Sequence, residues 1–255
     1  MVATPDLHGR LALVTGGGQG LGRADALALA KAGVDVAIAD LNLDTANQVA
    51  EEIHGLGRWS RAYRLDVSDF TAAASTVKAI KEDAGRAIEI LVNNAAKMDT
   101  MVQMKDMTAE VWQRDIAVNL GGAFNVTHAA WPDMIAARFG RIVNMSSIAG
   151  QQGGFGQTVY AAAKAGVVGL TKSLALEGAR HNIRVNCIAP SIIDTPAWRA
   201  IPEDYRARME KKIPLRRVGR DDEVASTVLY LASDASGFTT GQCLSLSGGM
   251  DLFVF

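Results

Sequence analysis

Short apolar runs rich in β-branched residues alternate with longer alanine-rich segments along the 255 residues of the chain. The short runs have the length of buried strands, and the longer segments have the spacing of helices. Because neighbouring parallel strands must be joined by a crossover, usually a helix, this alternation predicts a parallel sheet. We therefore expect an α/β fold with a doubly wound parallel sheet of about seven strands and helices on both faces.

The expected elements follow in strict alternation, and no linker or repeat separates them. The chain is therefore predicted to be a single domain, 1–255, with an irregular segment at about 190–219 that is typical of a substrate lid. Predicted strands cover 11–14, 34–39, 63–67, 88–92, 141–145, 183–188 and 242–246. Predicted helices cover 20–32, 44–56 with Asp44 as N-cap, 70–84 capped by Ser68 or Asp69, 109–137 capped by Thr108, 157–179, and 221–231 beginning at Asp221 or Asp222.

Composition and charge argue against several classes of protein. The formal net charge is −1, and the Lys and Arg residues are scattered, so a nucleic-acid surface is not expected. No signal peptide, membrane span or metal-ligand cluster is expected from the sequence. Cys187 and Cys243 lie in apolar surroundings, which favours buried reduced thiols over a disulfide. Reduced thiols in turn predict a cytoplasmic location.

A glycine-rich turn follows the first predicted strand and opens the first helix. It reads Thr-Gly-Gly-Gly-Gln-Gly-Leu-Gly over residues 15–22. In this setting, backbone N–H groups and the helix dipole can meet a pyrophosphate, although a plain tight turn is the alternative. The absence of a Gly-Lys-Ser/Thr sequence argues against a nucleotide-hydrolysing P-loop.

Asp40 ends the second predicted strand, twenty residues after Gly20. A carboxylate there can accept hydrogen bonds from both ribose hydroxyls of an adenosine, and it would repel a 2′-phosphate. Neither Gln19 nor Leu41 offers a positive charge to such a phosphate. The cofactor is therefore expected to be NAD (NADH), with NADP disfavoured, although Asp40 could also be a solvated strand end.

Tyr160 and Lys164 lie four residues apart, with only alanine between them. This spacing places both side chains on one helix face. An ammonium beside the phenol would lower the pKa of Tyr160 and suit it to proton exchange. Taken alone, such a pair is more often solvated than catalytic.

Six segments of the chain match the sequence pattern of a known family, in the same order and at the same spacings. The chain resembles the classical short-chain dehydrogenases/reductases, with a Rossmann fold, over residues 11–249. The matching residues are Thr15, Gly16, Gly20 and Gly22; Asp66; Asn93, Asn94 and Ala95; Asn119; Ser146 and Ser147; and Tyr160 and Lys164.

The resemblance implies a catalytic tetrad of Asn119, Ser147, Tyr160 and Lys164. Ser147 would orient the substrate oxygen, Tyr160 would exchange the proton, Lys164 would tune Tyr160 and hold the nicotinamide ribose, and Asn119 would hold a water. The residues expected to bind the cofactor are Gly16, Gln19, Gly20, Leu21, Gly22, Asp40, Leu41, Asp66, Val67, Asn93, Ala95, Tyr160, Lys164, Pro190, Ile193 and Thr195.

Three departures from the family pattern affect the substrate side of the site. Ala96, Ser191 and Ser247 replace a glycine, a glycine and an aspartate, and none of them belongs to the tetrad. The first two are expected to reshape the substrate pocket and so to bear on specificity, not on the class of reaction. The expected pocket is largely apolar, with two glutamines as polar handles. Its predicted lining is Ala96, Met98, Ser147, Gln151, Gln152, Phe155, Ile192 and Trp198.

The expected activity is therefore an NAD-dependent alcohol dehydrogenase or ketoreductase that acts on a secondary alcohol or ketone, which could be cyclic, aromatic or a polyol. The first alternative is an NADPH-dependent 3-oxoacyl-carrier-protein reductase, for which Arg138, Arg141 and the basic residues of 211–217 could supply a docking surface. The second alternative is a non-catalytic dinucleotide-binding sensor.

The resemblance also implies a homotetramer. The apolar helix faces within 111–136 and 160–179 are expected to form subunit contacts. The apolar tail, 252–255, is expected to be buried against a neighbour.

Overall fold

The computed structural model describes residues 7–98 and 100–252 of the chain. Its strands are β1 Leu11–Thr15, β2 Asp35–Asp40, β3 Ser60–Arg64, β4 Ile90–Asn93, β5 Gly140–Met145, β6 Ile183–Pro190 and β7 Cys243–Leu246. Its α-helices are α1 Gly20–Lys31, α2 Leu43–Gly55, α3 Phe70–Ala84, α4 Ala109–Ile116, α5 Gly122–Ala137, α6 Ala149–Gln152, α7 Thr158–Gly178, α8 Pro196–Arg199, α9 Glu203–Glu210 and α10 Asp221–Ala232.

The seven strands form one parallel sheet in the order β3-β2-β1-β4-β5-β6-β7. The order runs outward in opposite directions from β1 and β4, so the connections leave a crevice at the carboxyl ends of these two strands. The predicted doubly wound sheet is confirmed. The crevice is where a ligand of such a sheet is expected.

Strict alternation along the buried strands produces the two layers of core. In β1, Ala12 and Val14 pack with α1, α2 and α10, whereas Leu11 and Leu13 pack with α3, α5 and α7. All four side chains are fully buried. A strand covered on both faces needs an unbroken apolar run, which explains the sequence pattern from which the sheet was predicted.

The structure corrects the predicted position of the third strand. β3 covers Ser60–Arg64, whereas the prediction was 63–67. The apolar residues Leu65 and Val67 are buried in the core beyond the end of the strand, so burial rather than strand pairing accounts for them. At the start of the strand, Ser60 is the register partner of Val36.

Two further predictions are wrong in detail. Asn42, and not Asp44, caps α2, because its side chain accepts hydrogen bonds from the backbone N–H groups of Asp44 and Thr45. The segment 190–219 is not wholly irregular, since it contains α8 and α9.

The long helix predicted after Thr108 is interrupted by a different helical geometry. Thr108 caps α4 as expected, but Ala117–Gly121 form a π-helical turn before α5. π-helical turns occur frequently at functional sites, and Asn119 lies within this one.

One helical segment, Thr158–His181, is long and apolar enough to cross a membrane by length and composition alone. It is interrupted by Lys164, Lys172 and Glu177, and it packs against β6 as a helix of a protein core does. The length and apolar composition of this segment are therefore weak evidence for a membrane span.

Asp25 is an exception to the apolar packing between α1 and α10. Its side chain is fully buried, and neither carboxylate oxygen has a hydrogen-bond partner among the described residues. Burial, together with the nearby Asp221, raises the pKa of Asp25 well above its ordinary value of 3.8. The carboxyl group is therefore held toward its neutral form, which costs less to bury.

Ionisation of Asp25 should destabilise the fold. Because the folded-state pKa is raised, the stabilising effect of the protonated form is complete below about pH 3.8 and is lost as the pH rises through the folded-state pKa. Within that window the free energy of unfolding should fall, relative to that of Asp25→Asn, by about 1.4 kcal/mol per pH unit. Urea unfolding of both proteins from acidic to alkaline pH measures the difference.

The exposed Glu51 supplies a matched control. Glu51→Gln also removes one carboxylate, but its stability should stay within about 0.5 kcal/mol of the unchanged protein at each pH. Parallel pH curves for the unchanged protein and Asp25→Asn would contradict the role given to Asp25.

Candidate active site

The glycine turn lies at the carboxyl end of β1, where α1 begins. Gly16 donates a backbone hydrogen bond to the carbonyl of Ala39 over 2.7 Å. Gly16 and Gly20 have positive φ angles of 62° and 54°, which glycine adopts without strain. Gln19 at the N-cap makes no side-chain hydrogen bond to the helix, so in this part of the structure the first N–H groups of α1 remain available to an anion.

The turn is also too tight for side chains. A Cβ at Gly22 would collide with the carbonyl oxygen of Gly16, and a Cβ at Gly18 would collide with Thr45. The backbone therefore reaches the crevice without any side chain in front of it. This cradle fits a pyrophosphate, whose oxygens need direct access to N–H groups.

Asn94 joins the glycine turn to β4. Its side-chain nitrogen donates to the carbonyl oxygens of Thr15 and Gly16 over 3.1 and 3.0 Å. In return, the Thr15 hydroxyl accepts from the backbone N–H groups of Asn94 and Ala95, both over 3.1 Å. Asn94 belongs to a family motif that the sequence revealed, but the sequence predicted no role for it.

The carboxylate of Asp40 is fixed at the end of β2 by two backbone donors. Oδ2 accepts from the N–H of Gly18 over 2.9 Å, and Oδ1 accepts from the N–H of Asn42 over 3.0 Å. Each oxygen retains acceptor capacity for a further donor. This arrangement suits a pair of ribose hydroxyls, as expected from the sequence.

Asp40 opens onto a cavity of about 630 Å³. The lining residues are Gln19, Asp40, Leu41, Asn42, Leu43, Asp44 and Arg64. Arg64 was missed by sequence reasoning. It is the register partner of Asp40 on β3, a position that only the correct strand boundaries reveal. Asp66 and Val67 are not part of this lining, and the carboxylate of Asp66 accepts hydrogen bonds from Ser68.

Ser147, Tyr160 and Lys164 converge beyond the carboxyl end of β5. Ser147 lies two residues beyond the end of β5, and its side chain is close enough to Tyr160 to lower the pKa of that phenol. The Lys164 ammonium lies 5.7 Å from the centre of the Tyr160 ring and donates to the carbonyl of Met145 over 2.7 Å. The structure thus brings together the three side chains that the sequence assigned to the chemistry.

Asn119 reaches the same region from the π-helical turn. Its Oδ1 accepts from the backbone N–H of Lys97 over 2.9 Å, and its Nδ2 donates to the Lys97 carbonyl over 3.0 Å. The side chain is 2% exposed, so it clamps the loop after β4 from within the core.

Burial dominates the electrostatics of the pair on α7. It raises the pKa of Tyr160, and only the hydrogen bond from Ser147 opposes the shift. Burial also lowers the pKa of Lys164 to about 8. The expected lowering of the Tyr160 pKa by Lys164 stays a prediction.

A buried polar network supports these strand ends. Asn93 donates to Thr127 and Asn144 over 2.9 and 2.8 Å, and Asn144 donates to Thr171 over 2.9 Å. The network connects β4 and β5 with α5 and α7. Asparagine within otherwise apolar strands was the available signal in the sequence.

The glutamines expected to serve as polar handles in the pocket already have protein partners. Gln151 donates to the sulfur of Cys243 over 3.3 Å and accepts from the hydroxyl of Ser245 over 3.0 Å. Gln152 donates to the carbonyl of Asp251 over 2.8 Å. Both therefore hold the C-terminal segment against α6.

The other expected pocket residues differ widely in exposure. Trp198 is 8% exposed, whereas Met98 and Phe155 are 65% and 83% exposed. Ala96 is exposed and Ile192 is half-buried. Of the cofactor residues expected nearby, Pro190 ends β6, Ile193 is buried beside Gly219, and Thr195 caps α8.

Comparisons with known proteins decide the family. A family model described as "Enoyl-(Acyl carrier protein) reductase" matches residues 16–251. The chain is 42% identical to a 3-oxoacyl-[acyl-carrier-protein] reductase of Thermotoga maritima, over 96% of this chain and 98% of that protein. The chain belongs to the short-chain dehydrogenase/reductase family.

Two further relatives agree with this assignment. An acetoacetyl-CoA reductase of Rhizobium meliloti is 45% identical over 94% of this chain and 98% of that protein. The crystal structure of a 3-oxoacyl-[acyl-carrier protein] reductase with bound NAD from Brucella melitensis superposes with a TM-score of 0.89. It is 37% identical to this chain and covers 98% of it, with 94% of that chain covered. The protein is therefore an oxidoreductase of a family that binds a nicotinamide dinucleotide.

Gly22→Ala should disrupt the cradle because the added methyl group meets the Gly16 backbone, which cannot rotate away. We expect a loss of about 1–3 kcal/mol in the free energy of unfolding and a marked loss of dinucleotide binding. Urea unfolding and NADH fluorescence titration measure the two effects.

Gly55→Ala is the matched control. Its added methyl group would meet no atom within 4 Å, so binding should be unchanged and stability should rise by about 0.5–1 kcal/mol. If Gly22→Ala bound NADH with unchanged affinity, the tight cradle would not be needed for binding.

Proposed function

We propose that this protein transfers a hydride between NAD(H) and a secondary alcohol or ketone, with Tyr160 as the acid/base. The observation that carries the proposal is the convergence of Ser147, Tyr160 and Lys164 at the carboxyl end of the sheet, on the same edge as the glycine cradle. Both hydroxyls can meet one substrate oxygen, as proton exchange requires.

Each member of the tetrad has a distinct part in this proposal. Ser147 donates a hydrogen bond to the substrate oxygen, and Tyr160 exchanges the proton with it. Lys164 uses one N–H on Met145 and retains two donors for the nicotinamide ribose. Asn119 fixes the loop at Lys97 and keeps the π-helical turn in place beside α7.

The dinucleotide would be held along the crevice by the residues expected from the sequence. Gly16, Gly20, Leu21 and Gly22 would approach the pyrophosphate, and Asp40 would hold the adenosine ribose. When bound, the nicotinamide supplies or accepts the hydride, and its oxidised form adds positive charge near Tyr160. Positive charge there opposes the rise in the pKa of Tyr160 that burial causes.

NAD is favoured over NADP because the carboxylate of Asp40 is held in place by two N–H groups. A 2′-phosphate would meet this fixed negative charge at close range. Arg64 lines the same cavity and would offset part of that repulsion. The Brucella relative described with bound NAD shows that this cofactor occurs among close relatives.

Asp40→Asn should reduce the discrimination between NADH and NADPH. The amide keeps the shape of the side chain but loses the charge and one acceptor. Since a hydrogen bond to a charged group contributes about 1.5–3 kcal/mol, the ratio of the two affinities should fall roughly tenfold or more. Fluorescence titration with each nucleotide gives the ratio.

Asp44→Asn is the control for this experiment because Asp44 lines the same cavity. Only a small change in the ratio is expected there. Equal effects of the two substitutions would mean that the general negative charge of the cavity, and not the ribose contact of Asp40, sets the preference.

Tyr160→Phe should reduce turnover by about 10²–10⁴-fold, the usual contribution of general acid–base catalysis, and should change NADH affinity far less, because the ring keeps its shape and only the hydroxyl is lost. Tyr230→Phe is the control, since Tyr230 bonds to Thr239 away from the crevice. Full turnover by Tyr160→Phe would show that another group exchanges the proton. If the unchanged protein bound NADH but turned over no substrate of the panel described below, the non-catalytic sensor would be favoured.

A 3-oxoacyl thioester is the second candidate substrate. The names of the Thermotoga and Rhizobium relatives share this chemistry, since acetoacetyl-CoA is itself a 3-oxoacyl thioester. Fewer basic residues are available to dock a carrier protein than the sequence suggested. Arg141 is 2% exposed and paired with Asp234, so it is not offered to a partner. Arg217 pairs with Glu223 but stays half exposed.

A substrate panel separates the two candidates. Acetoacetyl-CoA, a cyclic ketone and a polyol are each followed at the NADH absorbance band, with NADH and NADPH compared for each. Selective turnover of acetoacetyl-CoA would assign the thioester class, and turnover of the cyclic ketone or polyol alone would assign a free alcohol or ketone. Selective use of NADPH would overturn the role proposed for Asp40.

We also propose that the protein is a homotetramer. Phe70 and Phe124 are 47% and 46% exposed and stack on each other, with His128 in tilted contact with both rings. Leu176 on α7 is 82% exposed. Such apolar groups on α3, α5 and α7 suit a subunit contact. Sedimentation at micromolar concentration gives the mass. Most of the tail expected to join this contact, 253–255, lies outside the described residues.

A further inference from the structure

The two cysteines of the chain, Cys187 and Cys243, face each other on neighbouring strands. They are register partners in the parallel pairing of β6 with β7, and their thiols are close enough to shift each other's pKa. Register partners on adjacent parallel strands are about 4.8 Å apart, within the Cα separation of about 4.4–6.8 Å that a disulfide spans. We propose that they form a redox-sensitive thiol pair, which closes to a disulfide when a hydroperoxide oxidises Cys243.

The two thiols differ in ways that assign their roles. Cys187 is fully buried in β6, whereas Cys243 begins the edge strand β7 and is half-buried. The hydrogen bond from Cys187, assisted by one from Gln151 and by the charge of Lys172, lowers the pKa of Cys243 to about 7. Because the thiolate is the nucleophile, Cys243 reacts first and Cys187 is the resolving thiol.

The reaction balances in two steps. The Cys243 thiolate attacks the outer oxygen of the hydroperoxide, the O–O bond breaks, and Cys243 becomes a sulfenic acid. The alkoxide or hydroxide that leaves takes a proton from solvent and becomes an alcohol or water. The Cys187 sulfur then attacks the Cys243 sulfur. The S–O bond breaks, water leaves with the Cys187 proton, and the disulfide forms.

Oxidation of the thiol pair would affect substrate binding in the proposed active site. Gln151 donates to the Cys243 sulfur and belongs to α6, which begins two residues after Ser147. Formation of the disulfide removes the negative charge of the Cys243 thiolate, to which the Gln151 amide donates. This part of the inference rests on the proposed function, so the KM of a ketone substrate should rise while NADH affinity stays constant.

The decisive measurement is chemical and does not depend on turnover. The whole protein is treated with hydrogen peroxide, its remaining thiols are blocked, and it is digested with trypsin without reduction. The expected product links the peptides 185–199 and 221–255, which contain the two cysteines. Both thiols should be lost together in titration, and dithiothreitol should restore both.

Two variants test the assigned roles. Cys187→Ser keeps a hydrogen-bond donor but cannot resolve, so the sulfenic acid of Cys243 should accumulate and be trapped by dimedone. Cys243→Ser should leave Cys187 unreactive toward the same peroxide. Equal dimedone labelling of the unchanged protein and Cys187→Ser would overturn the proposal. So would a stable Cys243 sulfinic acid without the linked peptides, or links only between separate chains.

Discussion

The side-chain amide of Asn94 holds the two halves of the sheet together where the strand order reverses. It ties the last carbonyl of β1 and the first carbonyl of the glycine turn to the segment after β4. Parallel strands diverge at this point because the connections leave in opposite directions. Without such a link, the crevice could widen and the turn could relax, and the backbone groups that meet a pyrophosphate would no longer be preorganised.

Preorganisation extends from this link through a set of buried amides. Asn93 and Asn144 sit side by side in β4 and β5, and their bonds to Thr127 and Thr171 carry the register of the sheet to α5 and α7. Buried polar groups cost free energy unless they are paired, so the three hydrogen bonds of this network favour one arrangement of these elements over others. Lys164 thereby gains a defined position, because its own helix is bonded to β5, the strand that ends two residues before Ser147.

The sequence was sufficient for the fold wherever a residue's burial and its strand pairing coincide, as they do in β1. It failed for β3, where Leu65 and Val67 are buried without belonging to the strand, and for Asp44, where Asn42 supplies the better-placed acceptor. The site residues were found by motif, and their convergence followed from the topology. Arg64 and the partners of Gln151 depend on register and on the path of the C-terminal segment, which local pattern does not encode.

The pKa values of Tyr160 and Lys164 show what remains for a ligand to contribute. Burial disfavours both charged forms, so the protein alone holds the phenol and the ammonium toward neutrality. An anionic pyrophosphate at the start of α1 and a cationic ring beside Tyr160 would change the field around both groups in ways that no side chain of the tetrad does. In the proposed mechanism, proton exchange is therefore coupled to dinucleotide binding by electrostatics, since the buried phenol is rarely ionised until further positive charge lowers its pKa.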